Sequence, residues 1–343
     1  MSVQTELQDT IHALVQRGRG ILAADESTPT ITKRFQAVGI ECTEATRRAY
    51  REMLLSTPGI GEYIGGVILF EETLGQSAAN GKRLVEVAQG QGIVPGIKVD
   101  KGTVDLANAP GEKITQGLDG LGERLRGYKE QGARFAKWRE VYPVGPGNPT
   151  ALGITANAEV LARYAAICQS YGIVPIVEPE VLIDGDHSIE RAEEVTEAVQ
   201  NEVFAALKRH RVRLEAMLLK PSMVVAGKGH PPKAGPDEVA ERTLRVLRRT
   251  VPAAVPSINF LSGGQTPEEA TANLNAMNAA YASLPWLLSF SYARALQEPP
   301  MAIWRGKAEN AEAAQRAFLR RARLNAAAQR GTYETAMETA EAR

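Results

Sequence analysis

Short apolar runs recur along the chain, each bounded by glycine, proline or a charged residue. They fall at residues 20–25 (GILAAD), 65–70 (GGVILF), 93–99 (IVPGIKV), 134–139 (RFAKWR), 173–180 (IVPIVEPE), 216–222 (AMLLKPS), 257–263 (SINFLSG) and 287–293 (LLSFSYA). Their length and their Ile, Val and Leu content predict strands. Stretches with apolar residues at helical spacing lie between them, at 43–56, 157–171, 188–209, 237–249 and 266–280. The last opens with TPEE, which suits Thr266 as N-cap and Pro267 at the first helical position. Repeated strand–helix alternation predicts an α/β fold, a parallel (β/α)8 TIM barrel. We expect a single domain over 1–343, with the barrel core at about 18–297. A doubly wound open sheet is the alternative. That fold more often carries a glycine-rich fingerprint after its first strand, where this chain has Asp25-Glu26-Ser27-Thr28. An Ala-rich basic helix at 309–330 is expected to pack outside the barrel, with a polar, mobile tail over 331–343.

Several of these runs begin apolar and finish in ionisable residues: Asp25, Lys98 and Asp100, Lys137 and Arg139, Glu178 and Glu180, and Lys220. In a barrel the carboxyl ends of the strands build the active site. Side chains alternate along a strand, so Lys137 shares a face with Arg139, and Glu178 with Glu180. At one strand, such charges only mark the return to solvent. Repeated on five strands they read as a polar site, since buried charges are costly unless paired. Lys220 follows Met217-Leu218-Leu219 and precedes Pro221. Poor solvation there, with Lys137 nearby on an alternate strand, would lower its basicity and suit an amine nucleophile. On this pattern alone, a nucleophile and a paired structural lysine are equally supported. After the seventh strand, Ser262-Gly263-Gly264 makes a turn that can present backbone N–H groups to an anion. Ser291 and Arg294 end the eighth strand, where barrels recurrently hold phosphate.

Composition narrows the function classes. Lys+Arg 40 balance Asp+Glu 40, so no global basic excess favours nucleic acid or a membrane surface. No apolar stretch has the length of a membrane span, and the first ten residues read as polar helix rather than a secretory signal. Cys42 and Cys168 form no C-x-x-C, which suits reduced thiols in the cytoplasm. His12, His187, His210 and His230 are scattered, so no metal site is expected.

At these residues the chain resembles the class I fructose-1,6-bisphosphate aldolases. The blocks that carry the resemblance include GRGILAADEST (18–28), GGVILFEETL (65–74), GIKVDKG (96–102), TQGLDGL (115–121), FAKWR (135–139), GIVPIVEPE (172–180), DGDH (184–187), LLKPSMV (218–224), FLSGGQ (260–265) and SFSYARALQ (289–297). It implies aldol cleavage of fructose 1,6-bisphosphate through a Schiff base, without a metal or organic cofactor, in a homo-oligomer, commonly a tetramer. Lys220 then matches the Schiff-base lysine and Glu178 the acid/base carboxylate. Asp25 matches the carboxylate at the C4 hydroxyl, Lys137 an electrostatic assistant and Glu180 a supporting carboxylate. Ser262, Gly263, Gly264, Ser291 and Arg294 match the C1-phosphate side. Lys98, Arg139, Arg34 and Thr30 match substrate and C6-phosphate contacts.

The chain departs from the family pattern at two points. Ala293 stands where glycine is usual beside the phosphate-binding arginine, and activity is expected to survive it. The sequence ends Glu341-Ala342-Arg343 rather than in the tyrosine many relatives carry, which predicts slow C3 proton exchange on dihydroxyacetone phosphate. Cleavage chiefly of sedoheptulose 1,7-bisphosphate, and a non-catalytic scaffold barrel, are the alternatives to the main reading.

Overall fold

The computed structural model describes residues 2–280 and 283–339. Its strands are β1 Gly20–Ala24, β2 Ile64–Leu69, β3 Val94–Lys98, β4 Thr103–Asp105, β5 Lys113–Thr115, β6 Phe135–Tyr142, β7 Val174–Val181, β8 Leu218–Leu219, β9 Ser257–Phe260 and β10 Leu287–Tyr292. Eight of them close a parallel barrel in the order β1-β10-β9-β8-β7-β6-β3-β2, while β4 and β5 form a separate antiparallel hairpin. Every apolar run picked out from the sequence contributes a barrel strand. β8 is shorter than its run, with pairing limited to Leu218 and Leu219. Pro221 follows closely and has no N–H to continue the ladder.

The period of two sorts the strand residues into two environments. Ile21, Ala23, Phe135, Val174, Ile176, Ala216 and Leu218 form one buried apolar cluster in the barrel interior. Two residues further along the same strand faces stand Asp25, Lys137, Glu178 and Lys220. The interior is thus an apolar floor under a charged layer at the carboxyl ends. Intervening residues such as Leu22, Ala24, Trp138, Val177 and Leu219 belong to the larger cluster under the helices. The first helix, Val3–Leu14, buries Leu7, Ile11 and Leu14 against the floor. Its polar composition hid this amphipathic role.

The helices carry the expected caps. Thr43 makes a capping box at Glu44–Leu55, and Ser188 caps Ile189–Arg209. Thr266 and Glu269 cap each other at the start of Pro267–Ala280. Helix Ala151–Ser170 starts earlier than its apolar spacing indicated, because Thr150 caps it and is itself bonded by buried Glu112. Helix Ala311–Gln329 packs on Pro267–Ala280 and Arg294–Trp304, outside the barrel.

Beyond this helix the tail is anchored to the barrel at Tyr333 and Glu338, with Thr332, Glu334, Thr335, Ala336 and Thr339 exposed. Arg321, 4% exposed, needs a counter-ion, and Glu338 supplies it at 2.6 Å. Tyr333 is buried, its N–H donating to Asn275 Oδ1 at 2.9 Å and its hydroxyl to Glu338 Oε1 at 3.0 Å. Glu341, Ala342 and Arg343 lie outside the described residues. Cys42 and Cys168 are free thiols. Among the described residues, no helix is long and apolar enough to cross a membrane.

Candidate active site

A cleft of about 430 Å³ opens at the carboxyl ends of the strands. Strand ends place Asp25 (β1), Lys98 (β3), Lys137 and Arg139 (β6), Glu178 and Glu180 (β7), Lys220 (β8) and Ser291 (β10) on its wall. Loops add Thr30, Arg34, Ser262, Gly263, Ala293 and Arg294. Gly264 is not on this wall. It faces a neighbouring apolar cavity, beside Lys228 and Ile183. The turn itself depends on Gly263 and Gly264 having φ of +52° and +82°, a region costly for side chains with a Cβ.

The centre of the cleft is a chain of alternating charge. Lys220 Nζ lies 2.9 Å from Glu178 Oε1, and Lys137 Nζ lies 3.3 Å from Glu178 Oε2. Lys137 Nζ is also 2.7 Å from Asp25 Oδ2 and 3.9 Å from Asp100 Oδ2. Lys98 Nζ completes the chain at 2.6 Å from Asp100 Oδ1. The sequence pattern set Lys137 against Lys220 as a neighbouring cation. The Glu178 carboxylate lies between them, on the intervening strand β7.

Burial and charge compete across this layer. Burial opposes ionisation of Asp25, but Lys137, Lys220 and Lys98 outweigh it and hold the carboxyl well below the usual range. Burial likewise opposes the charge on Lys137, yet Asp25, Glu178 and Asp100 keep its ammonium firmly protonated. Arg139, whose side chain is 40% exposed, is bonded by Glu180, and Glu180, Glu178 and Asp100 together raise its guanidinium pKa further. These charges are paired, as buried charges must be.

The walls differ in character. On the arc made by β9 and β10, Ser262 and Ser291 are buried, and Ser291 Oγ has no hydrogen-bond partner among the described residues. Arg294 is exposed and makes no ion pair among the described residues. It opens helix Arg294–Trp304, whose N-terminal end carries a partial positive charge toward this wall. Ala293 has φ −101°, an ordinary value for an L-residue, so its methyl imposes no left-handed strain. On the other side stand Arg34, Lys98 and Arg139, each held by a carboxylate. Both walls can receive an anion, and the amine lies on the strand between β7 and β9.

Two participants escaped the sequence reading in their structural role. Asp100 is the shared counter-ion of Lys98 and Lys137. Glu26, beside Asp25, accepts from Arg34, Arg51 and Gln297. Among the described residues no group of three or more His, Cys, Asp or Glu is arranged to hold a metal ion. His210 pairs with Glu159 away from the cleft, and His230 Nδ1 lies 3.1 Å from the Asp186 carbonyl.

A family model described as fructose-bisphosphate aldolase class-I matches residues 6–343. The chain belongs to this family. It is 56% identical to the Arabidopsis thaliana protein named fructose-bisphosphate aldolase 4, cytosolic, over 92% of this chain and 81% of that relative. It is 54% identical to fructose-bisphosphate aldolase 1, chloroplastic, of Chlamydomonas reinhardtii, over 98% of this chain and 89% of the relative. A solved structure of fructose-bisphosphate aldolase from Plasmodium falciparum superposes with a TM-score of 0.95 at 50% identity, covering 97% of this chain and 96% of that one. The resemblance seen in the sequence blocks and the barrel agree with this membership. The chain is an aldolase, and its activity is reversible cleavage of fructose 1,6-bisphosphate to dihydroxyacetone phosphate and glyceraldehyde 3-phosphate.

Proposed function

We propose that Lys220 is the Schiff-base nucleophile and Glu178 its proton-transfer partner. The observation that carries this assignment is their 2.9 Å contact at the head of an apolar barrel floor. Lys220 in its amine form attacks the C2 carbonyl, and the carbinolamine oxygen leaves as water after taking a proton. Glu178 is placed to deliver that proton, within ordinary hydrogen-bond reach. The resulting protonated imine accepts the electrons of the C3–C4 bond. Removal of the C4 hydroxyl proton then releases glyceraldehyde 3-phosphate and leaves an enamine on Lys220. Protonation at C3 and hydrolysis of the imine free dihydroxyacetone phosphate. No metal or organic cofactor is required, because the imine nitrogen is the electron sink.

The remaining residues bind and bias. Asp25, held anionic by Lys137, faces the C4 hydroxyl, and Glu180 keeps Arg139 aimed into the cleft. Ser262, Gly263, Ser291 and Arg294 receive the C1 phosphate, with Gly264 holding the turn rather than touching it. Arg34, Thr30, Lys98 and Arg139 receive the C6 end. Family membership supports a homo-oligomer, a tetramer, acting in the cytoplasm in glycolysis and gluconeogenesis. Lys220→Met tests the assignment. Loss of both cleavage and borohydride-dependent inactivation is expected, and retention of either removes Lys220 from the role.

A further inference from the structure

Glu26 is the most heavily used carboxylate at the cleft that the reaction itself leaves without a task. Its side chain is 2% exposed. Oε2 accepts from Arg51 Nη2 at 2.6 Å, and Oε1 accepts from Gln297 Nε2 at 2.8 Å and from Arg34 Nη1. Gln297 also donates to the Ala23 carbonyl of β1 at 2.7 Å. One carboxylate thereby joins the end of β1 to helices Thr28–Ala37, Glu44–Leu55 and Arg294–Trp304.

The charge count is uneven. Arg51 is 3% exposed, and its Nε and Nη1 have no hydrogen-bond partner among the described residues, so Glu26 is its bonded anion. A carboxylate shared by two guanidiniums leaves one positive charge unbalanced. Burial confines Arg51, whereas the Arg34 side chain is 22% exposed and lines the cleft. The surplus charge therefore faces the substrate through Arg34, whose planar fork still has N–H groups to offer an anion. The Glu26 contact fixes the direction of that fork.

We propose that Glu26 is a positioning and specificity residue, which aims Arg34 at the phosphate remote from Lys220 and so favours bisphosphate over monophosphate ketoses. The inference rests on the reading of Arg34 as a contact of that remote phosphate. Its test is the ratio of kcat/KM for fructose 1,6-bisphosphate to that for fructose 1-phosphate, which lacks the C6 phosphate. Glu26→Gln should lower this ratio about tenfold or more, chiefly through a higher KM for the bisphosphate, since a charged hydrogen bond that fixes the guanidinium is lost. In an Arg34→Ala background the Glu26→Gln change should leave the ratio where Arg34→Ala alone put it. Should Glu26→Gln not fold, Glu26→Asp keeps the charge, withdraws it by one methylene and should lower the ratio in the same direction. Equal losses on both substrates, or no loss on either, would overturn the inference. If Arg34→Ala itself leaves the ratio unchanged, the assignment of Arg34 falls. If Arg34→Ala lowers the ratio and neither Glu26 variant does, only the role of Glu26 falls.

Discussion

Glu178 holds Lys220 at 2.9 Å with both side chains 5% exposed, so the amine and its proton partner share one dry corner of the barrel. Glu178→Gln keeps the shape and removes the transferable proton. It should lower kcat by about 10²–10⁴, the usual range for one acid–base group, with a smaller effect on KM. Steady-state kinetics on fructose 1,6-bisphosphate check this, and a kcat within a few-fold of the parent would reassign the proton transfers.

Lys137 sits between Asp25 and Glu178. Burial raises the cost of the Asp25 charge, and Lys137 is the largest influence opposing it. In Lys137→Met the Asp25 pKa must rise. Asp25 titrates below the mildly acidic range in the parent, so with burial no longer opposed by Lys137 the acidic limb of kcat/KM should move up into that range in the variant, as expected when a buried carboxylate loses an adjacent cation. A pH–rate profile from mildly acidic to neutral pH reads this directly. An unmoved limb would separate Asp25 from the reaction.

Much of this arrangement was visible in the sequence. Alternation along GILAAD, RFAKWR and IVPIVEPE reports both the apolar floor and the charged layer, because each strand side obeys one local period. Other parts depended on contacts distant in sequence. Glu26 gains its partners Arg51 and Gln297 from positions 25 and 271 residues away. Helix Arg294–Trp304 is disguised by Pro299 and Pro300 within it. The β4–β5 hairpin carries an exposed β4, so it lacks the apolar run that marks a barrel strand. Tyr333 reads as part of a polar tail, and only Asn275 and Glu338 reveal why it is buried.

That hairpin is tied to β6 through a second unusual carboxyl. Glu140 is fully buried, accepting from Trp138 Nε1 at 2.8 Å and from the Thr115 N–H at 3.0 Å. Burial pushes its pKa up to about 8, although both hydrogen bonds oppose the shift. Its folded pKa therefore exceeds the unfolded value, and the folded state holds the proton more tightly. Stability from this group is greatest below the unfolded pKa and falls as pH rises toward 8, by up to about 1.4 kcal/mol per unit. Glu140→Gln cannot ionise and loses one acceptor, so its Tm should lie below the parent's at pH 5 and close on it toward pH 8. Parallel Tm curves would refute the shifted Glu140.

Ala293 lines the cleft beside Arg294 with an ordinary negative φ. Ala293→Gly should change KM by no more than about threefold and cost about 0.5–1 kcal/mol of stability, through the greater freedom of the unfolded glycine. A large fall in KM would mean that the methyl obstructs the phosphate.

The whole reaction sequence turns on which amine is the nucleophile. Fructose 1,6-bisphosphate should be mixed with the enzyme, reduced with borohydride, and the adduct located by peptide mapping. A substrate-derived secondary amine on Lys220, absent when substrate is omitted, is the predicted result. An adduct on Lys137 or Lys98 instead, or no adduct while cleavage proceeds, would contradict the account.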